Sequence, residues 1–202
     1  MALGCLDKQL QAASTLSEAP NLSAETWSKL ATTIHDEIAA LDELTIRQLR
    51  ADVLIPPERY LEELDAFQRW MEIAHANRSN PVIVRAQVMT ELYVAFVWLR
   101  DSLMTPLGAA LPDGSAFSAV ERFLRAGTRR RLRNAIAHGH WCYLPDYSGL
   151  EFWSELHRGQ PHERFVIHDV ELGNLQLLSR GTAIAALLAL STAIDVVGDH
   201  DV

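Results

Sequence analysis

The stretch "RRRLRNAIAHGHW" (residues 129–141) holds four arginines, an asparagine and two histidines. These are the side-chain types that metal-free cleavage of RNA requires. A base takes the proton from a ribose 2′-hydroxyl, an acid protonates the departing 5′-oxygen, and a cation stabilises charge on the phosphorane. Imidazole serves as base or acid, and a planar guanidinium can meet two phosphate oxygens at once. If residues 128–138 form one helix, a turn of about 100° per residue puts Arg131, Asn134 and His138 on one face. Leu132 and Ile136 form the opposing, core-facing seam. Arg133 then points about 140° away from His138 in projection. The two can meet by Arg133 reaching round, by distortion of the last turn, or across a subunit boundary. Gly139 is placed as a left-handed cap, which ends the helix at His138, where the helix dipole favours a cation.

Spacing alone also admits a plainer account, in which His138 ends a helix and Arg133 forms a salt bridge. A metal is a further alternative. In "HGHWC", His138, His140 and Cys142 alternate, and imidazole with thiolate suits zinc. His157, His162 and His168 follow downstream. The spacing matches no standard zinc signature, and metal on His138 would compete with acid–base work. The expectation is no metal and no cofactor.

Charge sharpens the question. The formal net charge is −8, yet residues 122–133 carry six arginines and no acid. Removing those six charges leaves −14 for the rest of the chain. Most of the surface should repel nucleic acid, while Arg129, Arg130 and Arg131 form a patch suited to an RNA backbone. The bland alternative is an arginine-rich helix face paired with the abundant carboxylates.

The order of residues adds a second line of inference. Arg133-Asn134-Ala-Ile-Ala-His138 resembles the signature of HEPN domains: an arginine, a polar residue directly after it, and a histidine a few positions on. The following Gly139 and the passage into a short aromatic hairpin are similar too. In element order the resemblance covers roughly residues 57–197; as a motif it covers 133–139. HEPN proteins are helical bundles that commonly dimerise, with two motif copies facing each other in a composite groove. Many are metal-independent ribonucleases of toxin–antitoxin, abortive-infection (phage-defence) or CRISPR systems; others are non-catalytic modules. The resemblance implies Arg133 and His138 as the catalytic pair, with Asn134 orienting them. It implies a homodimer and an RNA substrate, with an antitoxin or other partner protein. It equally admits a non-catalytic module that binds nucleic acid or nucleotide, or assembles with protein.

The elements that must position these residues read as mainly α-helical. Ser23 with Glu25 in the next turn marks a helix start, and the pattern from Ala24 runs to about Arg50. Pro56 and Pro57 break the chain, and an amphipathic helix follows. Asn80 and Pro81 open a helix that is apolar nearly all round, which predicts burial on several sides or under a partner subunit. Within it Glu91 needs a partner, with Arg133, Arg85 and Arg100 as candidates. Pro106, Gly108, Pro112 and Gly114 mark a loop. Helix resumes near Ser115 and runs to His138, with a break at Gly127. "HWCYLPDYSGLEFW" reads as a hairpin whose aromatic residues pack on the bundle or stack on bases, and "ERFVIHDV" as a further strand. A long helix from Glu171 to about Val197 closes the chain. The expected organisation is an N-terminal helical segment, 1–55, accessory to but in one globule with a HEPN-like helical domain, 56–202.

Two cysteines, Cys5 and Cys142, suggest no disulfide framework. The longest apolar run, "TAIAALLALSTAIDVV", falls short of the roughly 20 residues that a bilayer span needs. No apolar run precedes Cys5, so no signal peptide is expected. The sequence predicts a soluble, cytoplasmic protein without a membrane partner.

Overall fold

The computed structural model describes residues 21–52, 57–76, 88–146, 148–154 and 163–198. Helix α1 (Ala24–Ala39) begins at Ser23, whose hydroxyl accepts the Thr26 N–H at 3.2 Å, and it buries Leu30, Ile34 and Ile38. The sequence pattern ran on to Arg50, but the chain breaks at 40–42. The cause is Asp42, whose carboxylate accepts the Thr45 N–H at 2.9 Å and the Thr45 hydroxyl at 2.7 Å. That hydroxyl bond, with the backbone one, holds the Asp42 carboxyl below its ordinary range. An aspartate so placed starts a new helix, α2 (Glu43–Asp52). Helix α3 (Pro57–Ala76) follows and sets Leu64 into the core.

The expected helix start at Asn80 and Pro81 lies outside the described residues. From residue 88 the chain is helical, and it winds in π geometry at Val94–Trp98 and again at Arg100–Met104. Leu92, Ala95, Phe96, Leu99, Leu103 and Met104 are buried there. Pro106 and Gly108 read as loop in the sequence, yet both lie in α4 (Thr105–Ala110). The widened turn explains this. The Thr105 N–H reaches back to the Arg100 carbonyl, so the helix is already wound wide where Pro106, which has no N–H to donate, joins it.

Helix α5 (Ala116–Arg125) is capped twice. Ser115 accepts the Ser118 N–H at 3.0 Å, and Glu37 of α1 accepts the N–H groups of Ala116 at 2.5 Å and Phe117 at 3.2 Å. A carboxylate at a helix N-terminus is favoured by the dipole as well as by its hydrogen bonds. Ala126 is then extended and Gly127 takes φ 52°, which separates α5 from the motif helix α6 (Gly127–His138). Strands β1 (Trp141–Tyr143), β2 (Gly149–Ser154) and β3 (Glu163–His168) form an antiparallel sheet in that order. Leu150, Phe152 and Ile167 line its inner face.

Helix α7 (Asp169–Gly198) is the axis of the core and packs most extensively along α1. It buries Leu175, Leu178, Ala186, Leu187 and Leu190. At Gly181 a Cβ would lie 2.7 Å from the Trp27 ring, so glycine lets α1 approach. By length and composition α7 could cross a membrane, but 56% of its apolar window is buried against the chain. The fold is mainly α-helical with a small three-stranded sheet after the motif helix.

Glu37→Ala removes both side-chain bonds at the start of α5 and should lower stability by about 1–2 kcal/mol. Glu37→Gln, which keeps an acceptor but no charge, should lose less. Urea unfolding midpoints test the order; equal values for wild type and Glu37→Ala would refute it.

Candidate functional site

Leu132, Ala135 and Ile136 are buried and fix the rotation of α6. Every other side chain of the motif takes its direction from that seam. Arg129 faces inward, 8% exposed. Its Nε donates to the Phe123 carbonyl at 2.7 Å, and its guanidinium lies 3.8 Å from the Phe123 ring centroid. Burial lowers the Arg129 pKa, though a guanidinium stays charged in proteins. Arg129 was expected in the RNA-contact patch and is instead committed to the fold. Arg130 is exposed. Arg131 is half-buried, pairs with Glu163, and lies 4.9 Å over the Phe165 ring.

Arg133 leaves α6 on the opposite flank, toward the π-wound segment. Its Nη1 donates to Asn134 Oδ1 at 3.1 Å, and its Nη2 is ion-paired with Asp101. Arg100, beside Asp101, is half-buried. Its Nε and Nη1, and the Nε of Arg133, are buried without a hydrogen-bond partner among the described residues. Burial pushes the Arg100 pKa down, and the nearby Arg133 and Arg125 guanidiniums push the same way; Asp101 and Glu121 oppose them. Three guanidiniums therefore converge on two carboxylates. Buried N–H groups without acceptors cost about 1–3 kcal/mol each.

His138 ends α6 on the other flank. Gly139 takes φ 72°, and the N–H groups of Gly139 and His140 close on the carbonyls of Ile136 and Ala135. The His138 side chain is exposed, and its ring centroid stands 6.0 Å from that of His140. Arg133 and Asn134 are thus brought together and His138 is not: within one chain the arginine faces the π-wound segment and the histidine faces the sheet.

The left-handed residue also breaks the alternation on which the zinc alternative rested. Cys142 is exposed, with its Sγ 3.7 Å from Glu151 Oε2. Among the described residues no group of three or more His, Cys, Asp or Glu is placed to hold a metal ion; His157 and His162 lie outside them. Arg133, one candidate partner for Glu91, pairs with Asp101 instead. Asp101 was missed in the sequence. Its one signal is an acid directly after Arg100 in a largely apolar helix, and only packing of that helix on α6 brings it to Arg133.

Asp101→Ala leaves Arg133 partly buried with one neutral acceptor. Stability should fall by about 1–2 kcal/mol, since the pair is partly solvent-screened. The double variant Asp101→Ala/Arg133→Ala should lose less than the sum of the singles. Strict additivity in denaturant melts would show that the two side chains do not interact.

No protein-family model matches the chain, and neither a curated protein nor a solved structure does.

Proposed function

We propose that the chain is a metal-independent endoribonuclease of the HEPN kind, with Arg133 and His138 as its catalytic pair and Asn134 as the positioning residue. One observation carries the reading: an exposed His138 at a left-handed helix terminus, one to two turns after a hydrogen-bonded Arg133–Asn134 pair. In this reading His138 exchanges the proton of the 2′-hydroxyl and the 5′-oxygen, and Arg133 stabilises the phosphorane. Arg130 and Arg131 contact the RNA backbone. The setting would be a toxin or phage-defence effector in the cytoplasm, held in check by an antitoxin or other partner protein.

Because Arg133 and His138 face different neighbours within one chain, a second copy is part of the proposal. Arg133 of one protomer would serve His138 of the other. The pairing of Arg133 with Asp101 favours a second reading, a non-catalytic binding or assembly module in which the arginine is structural.

Arg133→Ala and His138→Ala should each lower RNA cleavage by about 10²–10⁴-fold. Wild-type cleavage should survive EDTA and leave 2′,3′-cyclic phosphate ends. A substrate with a 2′-deoxy residue at the scissile position should resist. Wild-type protein that leaves both single-stranded and structured RNA intact would support the binding-module reading.

Light scattering should report a dimer at micromolar concentration. Mixing the two inactive variants should restore about a quarter of wild-type activity under random exchange across a two-fold interface, because half the dimers then carry one intact composite site. No recovery from an exchanging mixture would show that the pair does not act across subunits.

A further inference from the structure

The two faces of the sheet differ in character. Alternation along β2 sends Leu150 and Phe152 into the core and Glu151 and Trp153 to the outer face. Among the described aromatic residues of the sheet, Phe152 lies in the core and Trp141, Tyr143 and Phe165 pack against it. Trp153 does not. Its neighbours form one row across the outer face. Arg164 is its partner in the β2–β3 register, and the Trp153 N–H donates to the His140 carbonyl at 3.0 Å. The His140 and Trp153 rings are near-parallel, 14° apart in tilt with centroids 6.3 Å apart. The Arg164 guanidinium stands 5.0 Å over the indole. At the other end of the row, the His138 ring is 6.0 Å from that of His140.

We propose that the His140–Trp153–Arg164 row is a stacking subsite for one nucleobase of single-stranded RNA, next to the scissile phosphate at His138. The proposal rests on the ribonuclease reading and names its substrate as unpaired RNA. An indole face accepts any base, which here would take the place that the exposed Arg164 guanidinium holds over the ring, whereas bases in a duplex are already stacked. The charges on the face favour this occupant. Arg164 is ion-paired with Glu151 at 2.8 Å, and Glu151 also contacts Cys142. The carboxylate offsets the guanidinium, so π-contact with a base, rather than charge, supplies the affinity here. The subsite should thus prefer unpaired RNA without selecting a sequence. The Arg130 and Arg131 guanidiniums belong to α6 and would track the backbone rather than the base.

The test uses the full chain and a short single-stranded 2′-O-methyl oligonucleotide, which cannot be cleaved because its 2′-oxygen carries no proton. Trp153→Ala should weaken binding by on the order of 10- to 100-fold. Trp153→Phe, which keeps a ring, should retain most of it. Adding the oligonucleotide should quench the part of wild-type tryptophan emission that Trp153→Phe lacks, a readout independent of whether Trp153→Ala folds. In cleavage assays Trp153→Phe should keep the wild-type KM, and Trp153→Ala should raise KM with little change in kcat. Binding and emission that do not depend on Trp153 would overturn the subsite, even if RNA is cut normally. Trp153-dependent binding by a protein that cuts no RNA would uphold the subsite and end the ribonuclease reading.

Discussion

Burial of Leu132, Ala135 and Ile136 on one stripe of α6 is the constraint on which the motif's geometry depends. A helix has one rotation that buries a given stripe. With Leu132 at zero, Arg129 comes round to about 60°, Arg133 to about 100° and Asn134 to about 200°. Arg131 and His138 fall near 260° and 240° on the same scale. Arg129 is therefore drawn into the interior over Phe123, and Arg133 into the π-wound segment. Arg131 and His138 go toward the sheet. The motif's two chemical groups occupy opposite flanks because the seam between them is apolar.

The same constraint explains why an acidic chain carries a cluster of arginines. Arg125 pairs with Glu121, Arg131 with Glu163 and Arg133 with Asp101. Arg122 donates to the Asp113 carbonyl and Arg129 to that of Phe123. Among the described residues Arg130 has no such contact and is exposed. Arginine suits this use, since a planar fork can pair with a carboxylate while its stem covers apolar surface. Part of the local positive charge is thereby bound to carboxylates, Glu121 one turn away and Asp101 and Glu163 from other elements. The field that an approaching phosphate meets is weaker than the sequence cluster implies, and among the described residues of the cluster the exposed Arg130 is where it is least offset.

Helix boundaries were legible at Ser23 and Ser115, where a single side chain caps its own helix. Ser23 and Ser115 announce their helices by short-range hydrogen bonds, and Gly127 and Gly139 mark turns that need positive φ. Asp42 breaks the N-terminal pattern by the same chemistry, but a continuous apolar periodicity masked it. Pro106 deceived for another reason. A proline reads as a breaker against regular α winding, and only a π turn before it makes room. In the site, the wheel that put His138 and Arg131 together also placed Arg129 inside, a consequence masked by reading three adjacent arginines as one patch. Asp101 and Trp153 gain meaning only from tertiary register, Asp101 through helix packing and Trp153 through strand pairing.

For the proposed chemistry, the Arg133–Asp101 pair determines how the arginine could work. A carboxylate and a phosphate would compete for the same fork, and removing a partly buried ion pair has its own desolvation cost. Arg133 uses Nη2 for Asp101 and Nη1 for Asn134, which leaves Nε free of hydrogen-bond partners among the described residues. Arg100 adds two more such N–H groups alongside. All three N–H groups are closed to solvent, so a phosphate oxygen meets the partly exposed remainder of the Arg133 fork, beside Asp101 and Asn134. In that arrangement Asp101 fixes the plane of the guanidinium and Asn134 its tilt, so less side-chain freedom remains to be lost when charge develops on the phosphorane. An internally paired arginine is then compatible with catalysis, provided that the phosphate shares the fork with Asp101 instead of displacing it.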